Sequence, residues 1–272
     1  MRVLTYNVGL MRLKIGDRLL LENPRNVGER ATIVSPRVRK ACLEERVDAL
    51  CVQECYEDSH RDALVAALKD ILPYVAVSKT KTWLNNGLMV FSSFPVASAR
   101  RVAHTFRCFY ERALGDRSML VVNLANGVTI INAHLSSGVD VESSRMETMR
   151  FTQIHDIHRQ VETALSVSSA VVIAGDFNCS PDASPDNYNF IKSLGWRDAW
   201  TESGNEESGC GWTWDAENPL NRRTVHASLP HRCDHVWIAG AGGAAAEAKL
   251  AIRDSTSDHY AVLADIVLRR PR

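Results

Sequence analysis

Val171-Val172-Ile173-Ala174-Gly175-Asp176-Phe177-Asn178 decides how this chain is read. It begins as an apolar run of the length a buried strand needs, turns polar at Gly-Asp-Phe-Asn, and breaks at Ser180-Pro181-Asp182. Residues i and i+2 of a strand share a face, so Asp176 and Asn178 are expected side by side at the carboxyl end of a core strand. An acid and an amide so placed can hold a water, a metal or a phosphate oxygen. Asp-x-Asn is equally an ordinary turn closing a strand. The two alternatives are separated by whether other strand ends bring the same chemistry.

They do. Val128-Thr129-Ile130-Ile131-Asn132-Ala133-His134 follows the turn signal Asn126-Gly127 and sets Asn132 and His134 at i and i+2 of a strand end. Val47 to Val52 is a short apolar strand reaching Gln53-Glu54, and Arg2 to Val8 is a strand ending at Asn7-Val8-Gly9. Cys233-Asp234-His235-Val236-Trp237-Ile238 is a strand entered through an aspartate. Ser257-Asp258-His259 opens a final strand running to Val267. Asp258 and His259 are adjacent and can serve one site only from the turn before that strand. Singly, each residue has a plain structural use: Asn7 as a turn former, Glu54 as a solvated strand end, His134 as a core histidine. Together, Asn7, Glu54, His134, Asp176, Asn178, Asp234, Asp258 and His259 are hard to explain by turn chemistry. Hard oxygen donors suit Mg²⁺ or Mn²⁺. A carboxylate beside a histidine suits general-base catalysis, and amides with a second histidine suit anionic oxygens.

Between these strands, Ser35-Pro36 predicts a helix start, with the helix ending near Arg46. His60 to Leu72, Ser143 to Val167 and Tyr188 to Leu194 carry further helical patterns. Tyr74 to Val77 and Gly87 to Ser92 are expected to pair, as are Val96 to Phe109 and Ser118 to Leu124. Leu10 to Thr32 reads as an inserted loop with a short helix. Its leucines, set among Arg, Lys and Asp, either pack on the parent domain or dip into a membrane surface. Ala239 to Ala246 reads as a flexible Gly/Ala segment, and Trp196, Trp200, Trp212 and Trp214 as core and loop anchors. Two halves, 1 to about 135 and about 145 to 272, each mix strands and helices. This predicts a single α/β domain over 1–272, with two sheets packed face to face and helices outside.

Among the 272 residues, Lys+Arg and Asp+Glu are both 32. That balance gives no global field for nucleic acid or anionic membrane, although Arg100-Arg101, Arg107, Arg112 and Arg222-Arg223 leave room for a local patch. No stretch approaches the roughly 18 apolar residues of a membrane span. The polar start after Met1-Arg2-Val3-Leu4 does not read as a signal peptide. Seven cysteines without a Cys-x-x-Cys pair argue against a zinc cluster or a disulfide framework and lead to the expectation of a cytoplasmic protein. Oligomeric state is not readable.

Thr5-Tyr6-Asn7, Gln53-Glu54, Asn132-Ala133-His134-Leu135, Gly175-Asp176-Phe177-Asn178, Asp234-His235-Val236 and Ser257-Asp258-His259 together resemble the endonuclease/exonuclease/phosphatase superfamily, in family order and across almost the whole chain. The resemblance implies a four-layer sandwich of two mixed, mainly antiparallel sheets that hydrolyses phosphoester bonds with Mg²⁺, Mn²⁺ being a substitute. It implies Glu54 as principal metal ligand, helped by Asn7 and Asp258. Asp176 and Asn178 would handle the attacking water and the phosphate. His259, paired with Asp234, would be the base or a phosphate ligand. His134 would hydrogen-bond a phosphoryl oxygen or protonate the leaving group. Gly195-Trp196-Arg197-Asp198-Ala199-Trp200, Gly211-Trp212-Thr213-Trp214 and Asn218-Pro219-Leu220 resemble the neutral sphingomyelinase-like branch, in which the substrate is a phospholipid headgroup at a membrane surface. A nuclease or DNA-repair phosphodiesterase acting on nucleic acid is the alternative, and a non-catalytic scaffold of the same fold the remote one.

Overall fold

The structure, a computed structural model, describes residues 1–15, 18–78, 85–106, 117–138, 143–222 and 229–268. Arg107, Arg112, Arg223 and the expected strand end at Phe109 lie outside these residues.

Thirteen strands among the described residues form two sheets. The first runs β12 (Gly243–Ile252), β13 (Ala261–Leu268), β1 (Arg2–Ile15), β3 (Ala49–Cys55), β5 (Met89–Ser92), β4 (Tyr74–Val77), with β2 (Arg18–Asn23) paired to the far end of β1. The second runs β10 (Arg197–Asp198), β11 (Asp234–Ala239), β9 (Ala170–Asp176), β8 (Val128–His134), β7 (Ser118–Leu124), β6 (Val96–Ala103). The two halves of the chain do not each form one sheet: the last two strands return to the first sheet, and β6 to β8 join the second. Crossing back gives the chain's ends a shared sheet, with β1 flanked by β13 and β3.

Strict alternation builds the layers. On β1, Val3 faces the second sheet while Leu4, Tyr6 and Val8 face helices; on β9, Val172 and Ala174 face inward while Val171 and Ile173 face outward. The inner faces share one buried cluster, from Val3 and Ala49 to Val172 and Ile266. Helices α1 (Val27–Glu44) and α2 (Asp58–Leu68) cover the outside of the first sheet. Helices α3 (Ser143–Leu165) and α4 (Pro185–Ser193) cover the outside of the second, and α5 (Ala199–Glu202) is a single turn beside β10. The result is the expected four-layer sandwich, with Trp196, Trp200 and Trp214 buried as anchors.

Three expectations need correction. Leu10 to Thr32 is not a loop: β1 continues to Ile15, turns back as β2, and α1 begins at Val27. Ser35-Pro36 therefore lies inside α1 rather than at its start. The real start carries no side-chain cap of its own. Glu22, upstream on β2, accepts the Asn26 and Val27 N–H groups instead, a cap from outside the helix that local pattern does not reveal. The Gly/Ala segment is the end of β11, a bend at 240–242 and the start of the edge strand β12, which β13 holds with two register shifts.

Among the described residues only two strand pairs are parallel, β1 with β3 and β8 with β9. Their carboxyl ends meet, and the starts of β11 and of β13 arrive there from the opposite direction. The ladder itself aligns His134 with Asp176 and Asp176 with Asp234. Gly175 makes the β8–β9 approach possible. Its φ is 147°, and a Cβ there would sit 1.8 Å from the Ala133 carbonyl oxygen. Gly175→Ala is expected to destabilise the protein by about 3 kcal/mol, a lowered melting temperature by calorimetry being the check. An unchanged melting temperature would refute this account of the close pair.

Candidate active site

The cleft lies where those strand ends converge. Asn7 Nδ2 stands 3.2 Å from Glu54 Oε1 and 3.0 Å from Asp176 Oδ2, donating to both. Its Oδ1 accepts the Gly9 N–H at 3.0 Å. So Asn7, expected as a ligand through its oxygen, here turns its donor to the carboxylates. His134 Nε2 is 3.4 Å from Asp176 Oδ2 and 3.8 Å from Glu54 Oε1. His259 Nδ1 is 2.8 Å from Asp234 Oδ2, and its Nε2 is 3.8 Å from Asp176 Oδ2. Asp258 is placed by the turn: Ser257 Oγ donates to its carboxylate, and a Cβ on Gly9 would lie 2.4 Å from its Oδ1. Asp258 and His259 do sit before β13, in the turn that lets both face one site.

Two placements depart from strand alternation. Glu54 would point outward after the inward Gln53, but its φ of 59° is left-handed and swings it into the cleft. Asn178 follows β9 with φ of 50°, so it does not stand beside Asp176 by the period of two. Its N–H donates to Asp176 Oδ1 at 3.0 Å and its Nδ2 to the Leu135 carbonyl at 3.0 Å, closing the Asp-x-Asn turn over the end of β8. Asn132, the partner of His134 by spacing, serves structure. It bridges the sheets by accepting from Gln53 Nε2 and donating to the Val52 and Met89 carbonyls.

Burial and like charge set the electrostatics. Burial first, then the Asp258 charge, pushes the Glu54 carboxyl up to about 7. Burial, then Asp234, pushes Asp176 up to about 6. Burial and the positive charges of Arg117 and His259 hold His134 well below the usual histidine range. His259 goes the other way: burial alone would lower it, but Asp234 and the neighbouring Cys233 hold it well above. Asp234 Oδ1 is buried with no hydrogen-bond partner.

Other residues around the cleft have roles that the sequence does not announce, although Asp198, Thr213 and Asn218 fall in the motifs that resemble the sphingomyelinase-like branch. Arg30 is buried on α1 and donates to the carbonyls of Val8, Gly9, Pro24 and Thr256, clamping the middle of β1 to the turn before Asp258. Asn218 Nδ2 donates to the Ser257 carbonyl and Asn221 Nδ2 to that of Asp258. Thr213 Oγ1 accepts both the Cys233 and Asp234 N–H groups. Behind the cleft, buried Arg232 donates to Asp198 Oδ2 at 2.7 Å and to His235 Nδ1 at 2.8 Å. That leaves His235 Nε2–H to donate to the Cys179 carbonyl, next to Asn178.

The donor set fits a divalent cation. Glu54, Asp176 and Asp258 are hard oxygen donors crowded by like charge, and the unpartnered Asp234 oxygen adds to the negative potential. Asp176, Cys233 and His259 also bring donor atoms within 4.8 Å of one another. Burial and Asp234 hold the Cys233 thiol well above its usual range, so that trio is the poorer site for a hard ion.

A two-sheet sandwich with buried carboxylates, amides and imidazoles at converging strand ends defines a phosphoester-hydrolysing class. The chain belongs to the Endonuclease/Exonuclease/phosphatase family, whose model matches residues 4–259, and is a hydrolase of phosphoric esters. No curated protein sequence matches it. Among solved structures, it is similar to beta toxin 275-280 from Staphylococcus aureus, at 15% identity and a TM-score of 0.74, covering 97% of this chain and 99% of that one. It is similar to sphingomyelinase C from Streptomyces griseocarneus at 18% identity and a TM-score of 0.69, covering 97% and 98%. It is also similar to TDP2 from C. elegans at 18% identity and a TM-score of 0.68, covering 97% and 74%. At these identities the likenesses show the fold.

Asp198 is held far below the usual carboxylate range by Arg232 and His235 against the cost of burial. A depressed folded-state pKa contributes stability that is present above the unfolded value of about 3.9 and lost as pH falls through the folded one. Stability measured by urea denaturation is therefore expected to drop steeply below about pH 4. Asp198→Ala is expected to cost about 3–5 kcal/mol at pH 7, because it strands the buried Arg232 charge. A loss below about 1 kcal/mol would contradict the pair's role.

Proposed function

We propose that the protein is a divalent-cation-dependent phosphodiesterase acting on the headgroup of a choline phospholipid. What supports the lipid choice is the turn after Asn178. Inositol phosphatases and tyrosyl-DNA phosphodiesterases of the resembled superfamily usually carry an arginine there, whereas this chain has Cys179-Ser180-Pro181-Asp182. Ser180 Oγ accepts the Asp182 and Ala183 N–H groups, and Asp182 accepts the Gly209 N–H. An acid thus stands where a cation would grip an extra phosphate. The zero formal net charge supports the same reading over a nucleic-acid substrate.

Glu54 and Asp258 would hold the cation, Mg²⁺ being the ion such donors favour. When bound, the ion supplies charge stabilisation at the phosphoryl group and the leaving oxygen. The chain's own residues do the rest. Asp234 accepts the His259 Nδ1–H and stabilises the imidazolium, so that its Nε2–H faces the cleft. Asp176 is held at both oxygens, by Asn178 N–H and Asn7 Nδ2, which aims it as acceptor for the proton of an attacking water. Positively charged His259 binds a phosphoryl oxygen. His134, kept neutral, donates a hydrogen bond from Nε2 to a second oxygen, and the leaving alkoxide takes its proton from solvent water.

Asp176→Asn and His259→Ala are each expected to lower turnover by about 10²-fold or more, with the fold intact by circular dichroism. Near wild-type turnover in Asp176→Asn would sink the assignment. The substrate is checked by comparing Mg²⁺-dependent, chelator-sensitive release from sphingomyelin vesicles, an abasic DNA duplex and a panel of soluble phosphomonoesters. Release from the vesicles is expected; activity on DNA alone would replace the lipid reading.

A further inference from the structure

The strand that carries Asn7 into the cleft does not stop there. Beyond Leu10, the last residue paired to β3, β1 leaves the sheet and pairs only with β2, as a two-stranded ribbon. The three leucines of β2 are open to solvent: Leu19 is 46% exposed, Leu20 48% and Leu21 47%. Exposed leucines are common singly, but three in succession on one short strand are not. The ladder also matters. It pairs Leu13 with Leu21, then shifts so that Lys14 pairs with Leu19, leaving Leu20 as the extra residue of a bulge. A one-residue slip reverses faces, so Leu19 and Leu21 stand on opposite sides of the ribbon. A ribbon with exposed leucine on both sides is ill suited to lie on a flat protein surface, which covers one side only. It suits immersion in an apolar medium.

We propose that the β1–β2 ribbon inserts Leu19, Leu20 and Leu21 into the interfacial region of a phospholipid bilayer and so presents headgroups to the cleft. The inference deepens, and rests on, the lipid reading of the site. Position supports it. Gly9, at the base of the ribbon, lies against Asp258 and Pro24, and the Arg30 guanidinium bonds the carbonyls of Gly9 and Pro24, one on each leg. The same guanidinium holds the Thr256 carbonyl, so ribbon and cleft are joined through one buried group. Charge supports it as well. Glu22 is occupied by the start of α1 and Arg12 is paired with Glu57, while Arg18, beside the leucines, is exposed. An exposed arginine next to inserted leucines meets lipid phosphates at the depth where they lie.

The test is co-sedimentation of the full chain with vesicles of phosphatidylcholine and phosphatidylserine, free of sphingomyelin and with chelator present, so that binding is read apart from hydrolysis. The wild-type protein is expected to partition onto the vesicles. The triple variant Leu19→Ser, Leu20→Ser, Leu21→Ser is expected to partition at least about 30-fold less, which corresponds to ~2 kcal/mol at 1.4 kcal/mol per tenfold. Its melting temperature should match the wild type, since the replaced side chains are exposed. Arg18→Glu should weaken binding to vesicles containing phosphatidylserine more than to phosphatidylcholine alone. Equal partitioning of the wild-type and triple-serine proteins, or no wild-type binding, would overturn the proposal. So would light scattering that showed a wild-type dimer and a triple-serine monomer, since the leucines would then cover a second copy. Vesicle binding through the leucines without release from any lipid would uphold the ribbon's role while removing the lipid-hydrolase reading.

Discussion

Glu54, Asp176, Asp234 and Asp258 share one largely buried cleft, and like charges taken out of water repel strongly unless donors or cations face them. Most polar features around the cleft answer that constraint. Asn7 gives one amide nitrogen to two of the carboxylates. The Asn178 N–H holds Asp176, Ser257 holds Asp258, and His259 holds Asp234. Arg117 and Arg30 contribute positive charge from the flanks, acting on Glu54 and Asp258 respectively. Raised values at Glu54 and Asp176 show that these groups do not fully offset the crowding. A cleft left short of positive charge is suited to take it from a cation, and to give it a new role when an anionic phosphoester enters.

Such a site works only if the strands that bring the carboxylates together cannot drift. The sheets are tied beneath the cleft by the Gln53–Asn132 hydrogen bond, with Thr5 completing the buried polar chain. Breaking it would leave buried amide groups unpaired, so the bond fixes sheet-to-sheet register more than it adds net stability. Arg30 does the same on one flank and the Asp198–Arg232–His235 group on the other. These groups lie outside the chemistry, and they set where its atoms stand.

That division explains what could be read from the chain. Strand ends with polar residues were legible because alternation and apolar runs are local: Asp176, His134, Asp234 and the turn holding Asp258 and His259 stand where the pattern puts them. Glu54 was found for an incomplete reason, since its entry to the cleft depends on a left-handed backbone that no propensity announces. Asn178 shares the site's edge through a turn, not through the strand period. The start of α1 was misread because its cap comes from Glu22 on a preceding strand, and Ser35-Pro36 offered a better local signal. Arg30 was invisible, and Arg232 stood out as part of a motif without a role, because a buried arginine looks like a surface one until its carbonyl and carboxylate partners are known. Sheet membership was not readable for a related reason: periodicity shows a strand's faces, and pairing across hundreds of residues decides its neighbours.

The two histidines of the cleft show how far environment outweighs residue type. Both are buried, and burial lowers both. His259 has Asp234 against Nδ1, which reverses the effect and keeps a positive charge facing the cleft. His134 has no partner at Nδ1 and has the charges of Arg117 and His259 beside it, which deepen the effect and keep it neutral. One imidazole thus carries charge toward the cleft while the other offers a neutral donor, only one residue type being used. Were Asp234 on the other side of β11, the two would compete for the neutral form and the cleft would lose its one side-chain cation from the β13 turn. The parity of β11, with Asp234 inward and His235 outward, therefore sets the chemistry of the site through a strand register.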